Sequence, residues 1–232
     1  MIAAIEEQIA VVRQRIAGAA QRSGRPASAV RLMAVTKTVD DGRILQAMAA
    51  GVNLIGENYV QEARRKIEVM GKQSIEWHLI GHLQTNKAKY AVRLFDLIHS
   101  LDRIELAREL DRRSRMAGVV TKTLVEVNIS GEETKRGVPL RDALPLIREV
   151  SILENICIQG LMTMPPWFDD PHDARPFFVA LRELKEKIAA ENLPHVDMRE
   201  LSMGMSQDYE VAVEEGATIV RIGRGIFGER PQ

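Results

Sequence analysis

Apolar and polar positions alternate on two scales along this chain. Short runs rich in Val, Ile and Leu recur, and each leads into a longer stretch whose apolar residues stand three and four apart. The first pattern predicts strands buried on both faces, the second amphipathic helices. Strands are expected over 30–35, 52–55, 75–80, 97–99, 121–127, 156–162, 198–202 and 218–222. Helices are expected over about 40–50, 59–70, 87–94, 103–117, 140–150, 173–190 and 207–214. Before the first strand, MIAAIEEQIAVVRQRIAGAA carries Glu6, Glu7, Arg13 and Arg15 inside its apolar pattern. That is an amphipathic helix, not a signal peptide or a membrane span.

Strands alternating with helices imply right-handed βαβ crossovers and a parallel sheet. Eight units of about 29 residues predict an α/β fold: a single-domain (β/α)8 TIM-type barrel over 30–228 with an extra N-terminal helix over 1–24, all one domain, 1–232. An open doubly wound sheet is the alternative. It fits less well, because no strand leads into a G-x-G-x-x-G turn that opens a helix. The one extended loop is MPPWFDDPHDARP, over 164–176, after the sixth strand.

Composition narrows the function classes. Lys+Arg and Asp+Glu both number 32, so the formal net charge is zero, and no basic stripe marks a nucleic-acid binder. No apolar run reaches the roughly 18 residues of a spanning helix, so no membrane role is expected. Cys157 is the single cysteine, which excludes an intrachain disulfide and fits a reducing, cytoplasmic location.

In such a barrel the active face lies at the C-terminal ends of the strands, so the residues just after each run carry the candidate chemistry. Lys37 ends the first run, in LMAVTKT. Desolvation there would favour the neutral amine that attacks a carbonyl. From position alone the plainer reading is favoured, a strand-end lysine with its stem packed and its head in water. LSMGMSQDYE places Ser206 as a helix N-cap with Asp208 in the first turn, and Gly204 permits a close approach. VRIGRGIFGE follows with Gly223, Gly225 and Gly228. Together the two segments form a candidate phosphate cradle, the plain alternative being tight turns. Arg221 stands two residues before Gly223, hence on the same strand face. His78 and His82 are four apart in WHLIGHL, but on a strand rather than a helix, so no metal site is expected. Cys157 reads as a small core residue. Met162, Met164, Met203 and Met205 read as packing, with Met162 and Met203 able to line a pocket.

AVTKT, GENYVQEA, WHLIGHLQTNK, VNISGEETKRGV, GLMTMPP, LSMGMSQDYEVAVEEGAT and VRIGRGIFG together resemble the YggS/PROSC family of pyridoxal 5′-phosphate (PLP) homeostasis proteins. The resemblance runs from Val30 to Gly228, in the family's order. It implies a barrel similar to the N-terminal domain of bacterial alanine racemase, with PLP as a covalent aldimine on Lys37. It implies that Ser206, Gly223 and Arg224 hold the phosphate with help from Ser202, that Arg221 faces the pyridine nitrogen, and that Asn58 and Met203 line the cofactor. Arg224 stands where many relatives carry Thr or Ser, so its backbone amide is the part carried over. Lys135, in ETKRGV, corresponds to a second PLP-carrying lysine region of the family or is a solvated loop lysine.

A cation opposite the ring nitrogen disfavours its protonation and weakens the ring as an electron sink. Alanine racemases add a tyrosine from a C-terminal domain of the partner subunit. Here about ten residues follow the last run, and Tyr59, Tyr90 and Tyr209 match no such position. The expectation is therefore a PLP-binding protein of intracellular vitamin B6 homeostasis, monomeric, meeting apo PLP-dependent enzymes transiently, with no catalytic residue of its own. A PLP-dependent racemase or deaminase is the alternative. A phosphate-binding barrel enzyme without PLP is the third reading.

Overall fold

The computed structural model describes residues 2–72, 75–132 and 135–228. Eight parallel strands surround one axis: β1 (Arg31–Val35), β2 (Leu54–Glu57), β3 (Glu76–Leu79), β4 (Leu97–Leu101), β5 (Thr121–Asn128), β7 (Ile156–Met162), β8 (Val196–Met205) and β9 (Ile219–Ile222). Their order is β4-β3-β2-β1-β9-β8-β7-β5, and pairing of β4 with β5 closes the ring. A two-residue strand, β6 (Val138–Pro139), adds to the end of β5. The helices that return the chain are α2 (Asp41–Ala49), α3 (Val60–Met70), α4 (Ala88–Leu94), α5 (Ile104–Ala117), α6 (Ala143–Val150), α7 (Arg175–Ala189), α8 (Tyr209–Glu214) and α9 (Arg224–Phe227). The eight-unit TIM-type barrel expected from periodicity is the fold observed.

Side-chain alternation along the strands separates two apolar regions. Met33, Leu54, Leu97, Leu124, Met162 and Ile219 fill the barrel interior. A larger cluster lies between strands and helices, including Ala34, Ile55, Trp77, Ile98, Val125 and Leu161. The leading helix α1 (Ile2–Arg22) packs on α2, α8 and α9. Helices α8 and α9 span only 6 and 4 residues, too short to cover their side of the sheet. Helix α1 covers it with Ile5, Ile9, Val12, Ile16, Ala19 and Ala20, spaced as one helical stripe. Arg13 donates to the carbonyls of Ala50 (3.0 Å) and Gly51 (2.7 Å) and so closes the open end of α2.

Several boundaries differ from the expectations. The second strand starts at Leu54 and runs to Glu57. The eighth unit ends in the helix α9, which sequence periodicity did not reveal because four residues carry no period. Strand β8 continues to Met205, through Gly204 at φ 90°, where a Cβ would stand 2.6 Å from Ala212 Cβ and 2.9 Å from Tyr209 Cα. Helix α8 therefore begins at Tyr209, and Asp208, not Ser206, is its N-terminal flank. Asp208 Oδ1 accepts from Met205 N–H at 2.6 Å and shapes the turn between them.

Candidate functional site

A cavity of about 620 Å³ opens at the C-terminal mouth of the barrel, within the roughly 300–1,000 Å³ typical of small-molecule sites. Lys37 continues the inward face of β1, in step with Met33 and Val35. The cavity brings together Lys37, Asn58, Ser206, Arg221, Gly223 and Arg224, from the ends of β1, β2, β8 and β9. Asn58 is placed there by a close crossing of two loops: a Cβ on Gly81 would lie 2.3 Å from the Asn58 carbonyl oxygen and 2.7 Å from its Cα. The glycine of WHLIGHL is thus required by backbone contact. Arg221 is 4% exposed; its Nη1 donates to Ser202 Oγ at 2.8 Å and its Nη2 to the Thr163 carbonyl at 2.9 Å. Burial lowers the guanidinium to about 10, which leaves it charged at neutral pH. Ser206 Oγ accepts from Gly225 N–H at 3.2 Å and ties the β8 turn to the glycine-rich turn after β9.

Below Lys37 lies a buried polar cluster that sequence reasoning did not identify. Lys66 of α3 has no exposed surface, and its Nζ donates to the Thr36 carbonyl (2.6 Å), Glu57 Oε1 (2.7 Å) and Glu62 Oε1 (2.7 Å). Thr36 Oγ1 donates to Glu57 Oε1 at 2.5 Å. Glu62 Oε1 also accepts from Thr38 N–H at 2.8 Å. Thr38 holds φ 63°, a left-handed conformation that is costly for a β-branched residue. The residues on both sides of Lys37 are thus fixed to one ion cluster, which aims the strand end into the cavity. The signal was present in α3, where Lys66 shares the face of Val60 and Ala63 at helical spacing.

Two residues expected to line the site do not reach it. Ser202 is fully buried under Arg221, accepting from it rather than facing the cavity. Met203 lies in the outer core between strands and helices. The register shift between Ser202 and Met205 reverses the alternation of β8, so that Met205 lines the cavity in its place. His78 points into the barrel interior and His82 lines the cavity, so the two do not converge. Among the described residues no cluster of His, Cys, Asp and Glu could hold a metal ion.

Glu126 also lines the cavity, 4% exposed, with its carboxyl pushed up to about 7 by burial and then by Asp102. An ordinary glutamate titrates near 4.5. Between these values the folded chain keeps a proton that the unfolded chain releases, so stability falls as pH rises through this window. Glu126→Gln removes the loss: at pH 8 the variant is expected to exceed the parent by about 1–3 kcal/mol, 2.5 units at 1.36 kcal/mol each being the ceiling. Near pH 4.5 the two converge. Urea denaturation at both pH values measures this, and an equal gain at both would contradict it.

The alanine racemase N-terminal domain family matches residues 3–231. The pyridoxal phosphate homeostasis protein of Aquifex aeolicus (strain VF5) is 45% identical over 227 residues, 97% of each chain. That of Pasteurella multocida (strain Pm70) is 39% identical over 228 residues, again 97% of each chain. The solved structure of PipY from Synechococcus elongatus with PLP bound aligns with a TM-score of 0.84 at 36% identity, covering 97% of this chain and 100% of that one. Alanine racemase from Corynebacterium glutamicum, at 17% identity and a TM-score of 0.72 over 99% of this chain and 61% of that one, shares the barrel fold. With identities of this size over nearly its whole length, the chain belongs to the pyridoxal phosphate homeostasis protein family, built on the barrel of the alanine racemase N-terminal domain.

Proposed function

We propose that this chain holds PLP in the mouth of its barrel, as a Schiff base on Lys37, and serves PLP homeostasis without catalytic turnover of its own. The observation that carries the proposal is that the strand-end amine of Lys37 and the joined turns of Ser206 and Gly223–Gly225 share one cavity. Charge supports it: among the described lining residues are five cations, Lys37, Lys135, Arg136, Arg221 and Arg224, against the carboxyls of Glu126 and Asp208. That excess suits a phosphate ester. When bound, the cofactor supplies an aldehyde and an electron-accepting ring.

Each residue has a part in this reading. Lys37 provides the amine that captures the aldehyde. The Ser206 hydroxyl and the Gly223–Arg224 turn hold the phosphate. Asn58 borders the ring. Arg221, anchored from below by Ser202 and Thr163, would offer its remaining N–H groups to the ring nitrogen. A guanidinium only donates, so it favours an unprotonated ring nitrogen and restrains carbanion chemistry. Lys135 lines the same cavity, with its ammonium 3.2 Å from Glu132, and adds to the positive charge there. Zero net charge argues against nucleic acid as the partner, and the same proposal takes the chain as a cytoplasmic monomer that meets apo PLP-dependent enzymes transiently. No helix among the described residues is long and apolar enough to cross a membrane.

A second reading, a racemase-like enzyme, draws on Glu126, whose carboxyl near 7 is placed in the same cavity. A screen of the PLP-loaded protein against D- and L-amino acids separates the two. The proposal expects conversion no faster than with free PLP. Faster conversion that disappears in both Lys37→Ala and Glu126→Gln would establish the enzyme instead.

A further inference from the structure

A continuous line of buried side chains runs down the barrel axis from Arg221. Arg221 Nη1 meets Ser202 Oγ at 2.8 Å, Ser202 Oγ meets His99 Nδ1 at 3.0 Å, and His99 Nε2 meets His78 Nδ1 at 2.9 Å. His78 Nε2 then lies 3.2 Å from Glu76 Oε2, at the opposite end of the barrel. Ser202 and His99 have no exposed surface and His78 has 1%. Glu76 is half exposed, and the same Oε2 also accepts from Arg31 Nη1 at 2.7 Å. The four members come from β3, β4 and β8, so only a closed barrel assembles them.

The direction of every hydrogen bond in this line follows from its ends. The carboxyl of Glu76 is lowered to about 2, by the His78 bond first and by Arg31, so it can only accept. His78 must therefore carry its proton on Nε2. Burial lowers both imidazoles, His99 well below the ordinary value with His78 and Arg221 adding to the effect, so each ring is neutral. The other charged groups acting on them, Arg31 on both and Asp96 on His78, leave that balance unchanged. A neutral His78 presents Nδ1 as an acceptor, so His99 donates from Nε2. His99 Nδ1 is then an acceptor, Ser202 gives it the hydroxyl proton, and the serine lone pairs are left for Arg221. The opposite polarity would turn a bare His78 Nε2 toward the Glu76 carboxylate and leave the Ser202 hydroxyl proton without an acceptor in the line.

We propose that His78, His99 and Ser202 form a one-way hydrogen-bond relay from Arg221 to Glu76, and that they are positioning residues for the arginine that faces the ring nitrogen. The second half rests on the PLP reading above; the first does not. A chain of bonds with one polarity reinforces itself. It fixes the guanidinium plane from below while Thr163 fixes its second nitrogen. It also links the cofactor end of the barrel to a carboxylate at the far end. The relay accounts for His78 in the WHLIGHL motif, which cofactor contact does not.

Two measurements decide it. In the protein without PLP, 15N spectra of the imidazoles at pH 8 should show His78 and His99 protonated on Nε2 and bare on Nδ1. An Nδ1–H form or an imidazolium at either ring overturns the relay. With PLP added, Ser202→Ala should bind about tenfold more weakly, the usual cost of losing an outer-shell partner. The pH midpoint of its bound-cofactor absorbance should move by about one unit, and Ser202→Thr should restore both. Unchanged affinity and midpoint in Ser202→Ala would refute the positioning role. Failure of the unaltered protein to give any PLP absorbance change would overturn the cofactor reading and, with it, the positioning role, while the imidazole spectra still decide the relay.

Discussion

Lys66→Ala is expected to destabilise the fold by about 3–5 kcal/mol, the cost of breaking a buried ion pair from one side. Lys66 has no exposed surface, and its three N–H directions are all used, by Thr36, Glu57 and Glu62. Without it, Glu57 Oε1 keeps only the Thr36 hydroxyl, and Glu57 Oε2 is already buried without a hydrogen-bond partner. Burial raises the Glu57 carboxyl while Lys66 opposes that shift, so removing the lysine drives the carboxyl toward its protonated form. The Thr36 carbonyl also loses its lysine donor, and the turn that holds Thr38 at positive φ loses the charge beneath Glu62. Chemical denaturation measures the loss. The pair Lys66→Met with Glu57→Leu should recover much of the stability, because both charges leave together. It should not recover PLP binding, because Thr36, beside Lys37, loses both the Lys66 ammonium on its carbonyl and the Glu57 carboxylate on its hydroxyl. A loss below about 1 kcal/mol for Lys66→Ala would be the value of an exposed pair and would contradict this account.

Lys37→Ala is expected to abolish covalent capture of PLP and to weaken total binding on the order of 100-fold, or about 2.7 kcal/mol. The turns proposed to hold the phosphate follow β8 and β9, and Arg221 lies on β9, none of them on β1. The variant should therefore fold normally and retain weak, noncovalent binding, with no Schiff-base absorbance band. Free PLP also reacts slowly with exposed lysines, so the comparison requires stoichiometric PLP. A variant whose band and affinity match the parent would place the attachment elsewhere, with Lys135 the first residue to examine because it lines the same cavity.

The barrel was legible because eight short apolar runs are separated by seven stretches of helical period. The strands over Arg31–Val35, Ile156–Met162 and Ile219–Ile222 fall within one residue of their expected bounds. The rim was legible where alternation held, since Lys37 and Arg221 continue apolar inward faces. It failed where alternation broke. Met203, next to inward-facing Ser202, faces the outer core, and the shift around Gly204 then turns Met205 to the cavity, since a single-residue change of phase reverses a whole face. Ser206 resembles a helix cap in sequence but bonds the next turn of chain, 19 residues later. His99 and Glu126 gave no local sign of function, and Lys66 showed only its place on the buried face of α3. Their partners come from other strands and helices, so their meaning exists only after closure of the ring.

The central claim is that Lys37 itself carries the cofactor. The direct measurement is borohydride reduction of the protein with one equivalent of PLP, followed by peptide mapping by mass spectrometry. The account predicts one dominant reduced pyridoxyl adduct, on Lys37, with little on any other lysine. A label spread over surface lysines, or concentrated on a residue outside the barrel mouth, would contradict it.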